Sequence, residues 1–351
     1  YVTNFTPPNP VTNLSVGTIY NTTVQLNFTP PTSVNGVDFY EVYINGERFS
    51  TREIKNSGEF ITGLTPSTNY NIRIVAVDMF YNKSELSNTV NVTTTNTVLD
   101  VDANAYMLTS NNEIWQNQIN ALFTDLKSQG LYNKIQAFYP FLGTTQAQHK
   151  WNAKNPLDTN AAFRLQFFGG GTHSNLGYQC NGTNAYANTF LVPSVNFLSV
   201  NSQGCTIVVG TNNNAVNSVE LGTWTSSTQA FLLSSKRNQS SASKDMQISG
   251  MTIRTNTDYN SIGILTGVKT DTLIAKMFKN KNLIQSSTST NSGVLTTRSV
   301  FIGASNEGSA VAYSPQRIQF AAIHQGLTDA EVVALHTIID NFESAIGRKT
   351  W

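Results

Sequence analysis

A chain of 351 residues is long enough for two or three domains, each burying its own core, and its 39% apolar share supports folding. Only 12% of residues are charged, roughly half the usual share, and Asn, Thr, Ser and Gly fill the deficit, favouring turns and solvated β-edges over long exposed helices. A net charge of +1 with no basic block gives a nucleic-acid partner no electrostatic support, and there is no run of about 18 apolar residues for membrane insertion.

The opening YVTNFTPPNP lacks the basic start and apolar stretch of a signal peptide. Short strands separated by turn signals follow. Val24, Leu26 and Phe28 alternate in TVQLNFTPP, which Pro30-Pro31 stop. Tyr40, Val42 and Ile44 alternate before Asn45-Gly46, a two-residue type I′ hairpin signal, and Tyr70, Ile72 and Ile74 alternate in NYNIRIVAVD. With no helical pattern between them, these strands predict a small β-sandwich over residues 1–96.

The order PxxVxxLxV, VxLxFxPP, YxVYxNG, IxGLxPxTxYxIxIxAVD and SxxSNxVxVTT resembles a fibronectin type III domain along this whole stretch. The resemblance implies a tyrosine corner, with the Tyr70 hydroxyl of GLTPSTNY bonded to nearby upstream backbone. It departs at Phe28, where the family commonly has tryptophan; Phe fills the same core role. The fold is used mostly as a spacer or docking module, and no Arg-Gly-Asp tripeptide is present.

Residues 97–159 read as a linker and helical bridge. TTTNTVLDVDANAY, residues 93–106, is a polar linker; Ile114, Trp115, Ile119, Leu122, Phe123 and Leu126 then recur at helical spacing, and Gly130 offers a stop. Ile135, Phe138, Tyr139 and Phe141 add a bulky cluster, expected as part of a small helical subdomain under the next domain.

From residue 160 the pattern returns to strands: FRLQFF, ANTFLV, CTIVVG, QAFLLSS, MTIRTN, SIGILTGVKT, TLIAKMF, GVLTTRSVFIGA and RIQFAAIH. Nine or ten such strands with Gly, Asn and Ser turns predict a two-sheet sandwich or jelly roll, and the absence of βαβ alternation argues against a parallel sheet. Thr328-Asp-Ala-Glu331 is a capping box, with Leu327 and Val332 as its hydrophobic staple. It opens a helix whose Leu335, Ile338, Ile339, Phe342 and Ile346 form one face and whose end falls at Gly347; His336 is expected at its surface or boundary. Cys180 and Cys205 allow either a disulfide or two buried thiols.

SVFIGASNEG, then RIQFAAIH and the GLTDAEVVAL helix, resemble the close of a laminin G-like, concanavalin-type jelly roll, and Asn181-Gly-Thr-Asn-Ala-Tyr-Ala187 is similar to its opening strand. The two ends bracket residues 160–351. Residues 103–351 as a whole resemble the C-terminal part of tailed-bacteriophage structural proteins. The expected fold class is therefore mainly β: an N-terminal sandwich, a short helical bridge and a C-terminal jelly roll closed by a helix.

Several chemistries find no support. FFGGGTHS suggests a hydrolase oxyanion hole at Gly169–Gly171 and His173, but no Gly-x-Ser-x-Gly elbow surrounds Ser174. The Glu-x-Asp-x-x-Glu spacing of a glycosidase sandwich is missing, with Glu220 standing alone. His149, His173, His324 and His336 show no metal-ligand spacing, and there is no CxxC. No cofactor is expected; calcium stays open because the lectin-like resemblance implies loop-oxygen sites, with Asn184 and Asn306 as candidates. For glycan binding the candidates are Trp224, Tyr178 and Tyr259, aromatics in Asn/Ser/Thr-rich surroundings; for each the alternative is an ordinary core or rim residue.

These readings lead to the expectation of a non-enzymatic virion-surface protein of a tailed bacteriophage, structural and adhesive, homo-oligomeric, with other virion proteins or a host-surface glycan as partners. The competing expectations are a secreted bacterial carbohydrate-active enzyme or its accessory binding module, and a capsid or tail decoration protein with no ligand.

Overall fold

The computed structural model describes residues 6–197, 199–214, 217–237, 244–256, 258–288 and 293–351. The chain divides into two compact units, Tyr1–Leu99 and Asp100–Trp351.

In the first unit, strands Thr12–Ile19, Thr23–Thr29 and Phe60–Thr62 make one sheet. Glu47–Ile54, Val37–Ile44, Asn69–Asp78 and Val90–Thr93 make a second. All pairings are antiparallel. The alternating residues face inward as the period of two requires: Val24, Leu26, Phe28, Tyr40, Val42, Ile72 and Ile74 share one core with Ile54 and Ile61. Phe28 meets Tyr40 edge-on at 4.6 Å between ring centroids, filling the centre without a tryptophan. Asn45 and Gly46 both take positive φ, 52° and 91°, the type I′ geometry. The tyrosine corner is present: Thr65 N–H donates to the Tyr70 hydroxyl at 2.8 Å.

Two expectations for residues 97–159 need correction. The stretch read as a polar linker contains helix Val101–Ser110, started by Asp100, whose side chain accepts from the Asp102 and Ala103 N–H groups. Its buried face is only Ala103, Tyr106, Met107 and Ser110, too few apolar residues to stand out from a sequence rich in Asp and Asn. Nor do residues 100–159 form a separate bridge. They belong to the second unit, and Ile135–Tyr139 is a strand paired with residues 321–324, a partnership about 180 positions away that no local pattern can report. Helix Gln116–Ser128 follows its predicted face, with Ile119, Leu122, Phe123 and Leu126 buried.

The second unit is built on two sheets. One runs Thr172–Ser174, Gly177–Gln179, Arg317–His324, Gln203–Val209, Gly263–Lys269, Ile274–Lys279 and Asn282–Thr288, with Ile135–Tyr139 also on Arg317–His324. The other runs Met251–Thr255, Lys244–Ile248, Gln229–Ser234, Leu221–Ser226, Phe301–Ile302, Tyr186–Asn188 and Gln166–Phe168. A single core takes side chains from both, including Ile207, Leu265, Ile318, Leu233, Met246 and Ile302. The molecule is thus mainly β, as composition and periodicity suggest.

Helix Asp329–Ala345 closes the unit. Its capping box is formed in both directions, Thr328 Oγ1 accepting from Glu331 N–H and Glu331 Oε2 from Thr328 N–H. Beyond it, Arg348 makes a bidentate pair with Glu343, both contacts 2.6 Å, and donates to the carbonyls of Pro140, Phe141 and Gln319. Both side chains are buried, so this pair fixes the C-terminal segment to strand Arg317–His324 and to the residues that follow strand Ile135–Tyr139.

Candidate ligand-contacting site

The glycine run is explained by close packing. A Cβ on Gly169, at φ +74°, would lie 2.1 Å from the Asn184 carbonyl oxygen, and one on Gly171 would lie 2.5 Å from the Tyr178 ring. The two segments meet in a hairpin that leaves no room for side chains on these glycines.

His173 stacks on Tyr178 at 5.0 Å and meets Phe167 edge-on at 4.6 Å. Its Nδ1 lies 2.9 Å from Nδ1 of His149, whose Nε2 lies 3.1 Å from the Gly143 carbonyl. A carbonyl can only accept, so His149 carries its proton on Nε2 and accepts from His173. Burial, then the neighbouring His173, pushes His149 down to about 3, and burial takes His173 to about 4. Both imidazoles are neutral, and no serine lies between them.

Tyr178 is withdrawn as a ligand contact. It is 1% exposed, pressed against Phe141, Phe167 and His173, because its strand places it facing the core. Trp224 is half-buried on Leu221–Ser226, and its carbonyl accepts from Arg298 Nη1 at 2.9 Å. Tyr259 is 59% exposed. The ring neighbours of Tyr178 include neither of the other two, so the three candidates do not assemble into one platform.

The loop carrying Tyr259 is held by two lysines. Lys244 Nζ donates to the carbonyls of Asp258 and Asn260, at 2.8 and 2.9 Å, and Lys279 Nζ to Asn260 O at 2.6 Å and Asp258 Oδ2 at 2.5 Å. The carbonyls of both neighbours of Tyr259, Asp258 and Asn260, are therefore clamped, and Tyr259 itself is exposed. Lys244 is fully buried; burial and then the Lys279 cation lower it to about 8, opposed by Asp258. Asn260 N–H and Ile262 N–H cap the Asp258 and Asn260 side chains, and Ser261 is bonded to Thr211 and Asn212. The clamp escapes local reading because its lysines lie 14 to 21 residues from the carbonyls and carboxylate they bind.

His336 is fully buried, not a surface residue. Its place among Val332, Leu335 and Ile339 on the apolar helix face is the signal that foretells this. It closes a directional relay: Lys281 N–H donates to His336 Nδ1, His336 Nε2 to Thr266, Thr266 to Thr206, Thr206 to His324 Nε2, and His324 Nδ1 to the Gln325 carbonyl. Distances run from 2.7 to 2.9 Å, and the acceptor at the end sets every proton. Burial holds His336 near 3 and His324 near 4.

Other buried ionisable groups also have structural partners. Glu220 accepts from Ser235 N–H at 2.5 Å and Ser314 Oγ at 2.9 Å, and burial pushes its carboxyl up. Asp245 lies between Arg237 and Arg254. Asn184 Oδ1 accepts from Gly170 N–H and Asn181 Nδ2, and Asn306 Oδ1 from Gly308 N–H, so both oxygens build turns. Among the described residues there is no group of three or more His, Cys, Asp or Glu placed to hold a metal. Cys180 and Cys205 are free and buried, and burial pushes both thiols up.

Comparison with known proteins finds a match over part of the chain. The model of the fibronectin type III domain matches residues 9–93. Among solved structures, the chain is similar to titin domains A168–A170, with 20% identity, 25% of this chain and 32% of that one covered, and a TM-score of 0.24. It is also similar to the fibronectin type III domain of human KIAA0970, with 22% identity, 26% and 77% coverage and a TM-score of 0.23. A third is the family 28 exopolygalacturonase of Yersinia enterocolitica, with 14% identity, 29% and 22% coverage and a TM-score of 0.23. The chain spans about a third of the titin segment. No curated protein matches. Matching strand order, tyrosine corner and family model together, residues 9–93 form a fibronectin type III domain.

Proposed function

We propose that the protein is a non-catalytic structural and adhesion component of a tailed-bacteriophage virion, in which the fibronectin type III domain serves as spacer and the 160–351 region, a laminin G-like jelly roll, contacts a saccharide of the host surface. The observation that carries the saccharide contact is the Tyr259 loop. An exposed aromatic ring on a backbone clamped at both neighbouring carbonyls offers a stacking face whose loop is held before a ligand arrives, which lowers the entropy cost of binding. The non-catalytic reading draws support from Glu220, Asp245, Glu343 and the four histidines, all engaged in packing or structural bonds. A single shallow aromatic contact is weak; repetition of the chain on a particle would supply strength through avidity.

A glycan array probed with the intact chain tests this. Reproducible binding to a saccharide, weakened roughly tenfold by Tyr259→Ala, which corresponds to about 1.4 kcal/mol, is the expected result. A blank array with folded protein favours a decoration protein without a ligand.

A further inference from the structure

The four-stranded sheet of the fibronectin type III domain carries a cleft of about 540 Å³ on its outer face, lined in part by Tyr43, Asn45, Asn71, Arg73, Leu86 and Asn91. Strand register brings these residues together. Tyr43 pairs with Arg73 and Asn71 with Asn91, and Asn71 and Arg73 share the face opposite the buried Ile72 and Ile74. Asn45 is fixed beside them, its N–H donating to Asn71 O at 2.8 Å and its Oδ1 accepting from Asn71 N–H at 2.9 Å. Leu86 is the only aliphatic side chain in the lining.

The charge at this face is local, positive and exposed. Arg73 is the one charged residue of the lining, and among the described residues no acid lines the cleft. The Arg73 Nε donates to Ser87 O at 3.0 Å, which holds the guanidinium, and among the described residues no carboxylate pairs with it. Glu41, two positions before Tyr43 on the same strand and face, accepts from the Tyr43 hydroxyl at 3.2 Å and is paired with Arg48 at 2.9 Å and Lys83 at 2.8 Å. The Arg48 and Lys83 side chains are 50% and 47% exposed and that of Glu41 is 4%, so solvent meets the cations and not the acid. Arg48, Arg73 and Lys83 against Glu41 sum to +2.

This chemistry selects the ligand. An arginine held through Nε and lacking a carboxylate partner is matched by a planar, bidentate anion. The amides of Asn45, Asn71 and Asn91 and the hydroxyls of Tyr43 and Thr89 suit a ligand dense in hydroxyl groups, and the lining offers no apolar pocket for a peptide side chain or a lipid tail. We infer that the cleft binds a carboxylate-bearing sugar unit of an acidic polysaccharide, Arg73 taking the carboxylate and the asparagine amides the hydroxyls. The domain is then a reader of acidic saccharide as well as a spacer. This does not depend on the Tyr259 contact, which belongs to the other unit.

The test is an array of uronic-acid and sialic-acid oligosaccharides beside their neutral or methyl-esterified counterparts, probed with the intact chain carrying Tyr259→Ala so that the contact in the second unit does not contribute. Binding of acidic members is expected, at least about fivefold stronger than their neutral counterparts and weaker at high salt. Arg73→Gln should lower that binding at least about fivefold, and Arg73→Lys, which keeps the charge but not the fork, should restore only part of it. Asn91→Asp, which sets an exposed acid in the cleft, should weaken it similarly while the first-unit calorimetric transition stays in place. An array with no acidic binder, equal binding of acidic and neutral members, or a folded Arg73→Gln chain that binds as well as its parent overturns the proposal. So does a poly-glutamate peptide that binds through Arg73 more tightly than any sugar, which assigns the cleft to acidic peptide.

Discussion

The two units differ in how much buried polarity they hold. The fibronectin type III domain has no histidine and no tryptophan, and its core is an aliphatic and aromatic set contributed by alternating strand residues. The second unit holds all four histidines and all four tryptophans, together with buried Lys244, Asp245, Glu220 and the Glu343–Arg348 pair. The first is fixed mainly by its alternating apolar core, with buried Glu41 and Asp78 held by the side chains of Lys83, Arg48, Asn35 and Asn82. The second is fixed by polar side chains that reach across long stretches of chain, and so it should be the more sensitive to single charge changes and to acid.

The largest expected effect comes from Arg348→Ala. It leaves Glu343 buried without its cation and frees the carbonyls of Pro140, Phe141 and Gln319, so a loss of about 3–5 kcal/mol in the second unit is expected. Tryptophan fluorescence reads this unit alone, because Trp115, Trp151, Trp224 and Trp351 all lie in it. A melt unchanged by the substitution breaks the contrast.

Acid comes next. His149, His173, His324 and His336 have folded-state pKa values of about 3 to 4 against an ordinary 6.5, so as pH falls the unfolded chain takes up protons first. Their neutral burial is fully favourable above about pH 6.5, and stability is lost progressively from there down to about pH 4 for His173 and His324 and about pH 3 for His149 and His336. For a shift like that of His324 the loss is on the order of 3 kcal/mol. Asp78 in the first unit, held at about 2 against 3.8, keeps its contribution above 3.8 and loses it only as pH falls toward 2. Fluorescence melts between pH 7.5 and 4.5 should therefore fall steeply while the first-unit transition in calorimetry stays level.

Smaller effects sharpen the comparison on each side. Tyr70→Phe removes the bond from Thr65 N–H and should lower the first-unit transition by about 1 kcal/mol without altering fluorescence. Thr328→Ala removes the cap of helix Asp329–Ala345 and should cost the second unit a similar amount, about 1 kcal/mol, seen in fluorescence.

The same contrast governs what could be read in the sequence. Alternation at Val24, Leu26 and Phe28, the Asn45-Gly46 turn and the Tyr70 corner lie within a few residues of their consequences, so the first domain is legible. The Thr328 capping box is legible for the same reason. Helix Val101–Ser110 and the pairing of Ile135–Tyr139 are not, one because its apolar face is short and the other because its partner is remote. At the candidate site, the exposure of Tyr259 and burial of Tyr178 follow from tertiary placement; both are aromatics in polar sequence surroundings. The lysine clamp is invisible because its targets are mainly backbone carbonyls, which every sequence has.

The measurement that bears most directly on the functional reading is saccharide affinity of the intact chain compared with Tyr259→Ala and Lys279→Gln. Lys279 reaches the loop only through Asp258 and Asn260, so its loss should weaken binding severalfold by unclamping the loop, with Tyr259→Ala weakening it about tenfold. A saccharide that binds wild type and both folded variants equally would contradict the assignment of Tyr259 as the contact.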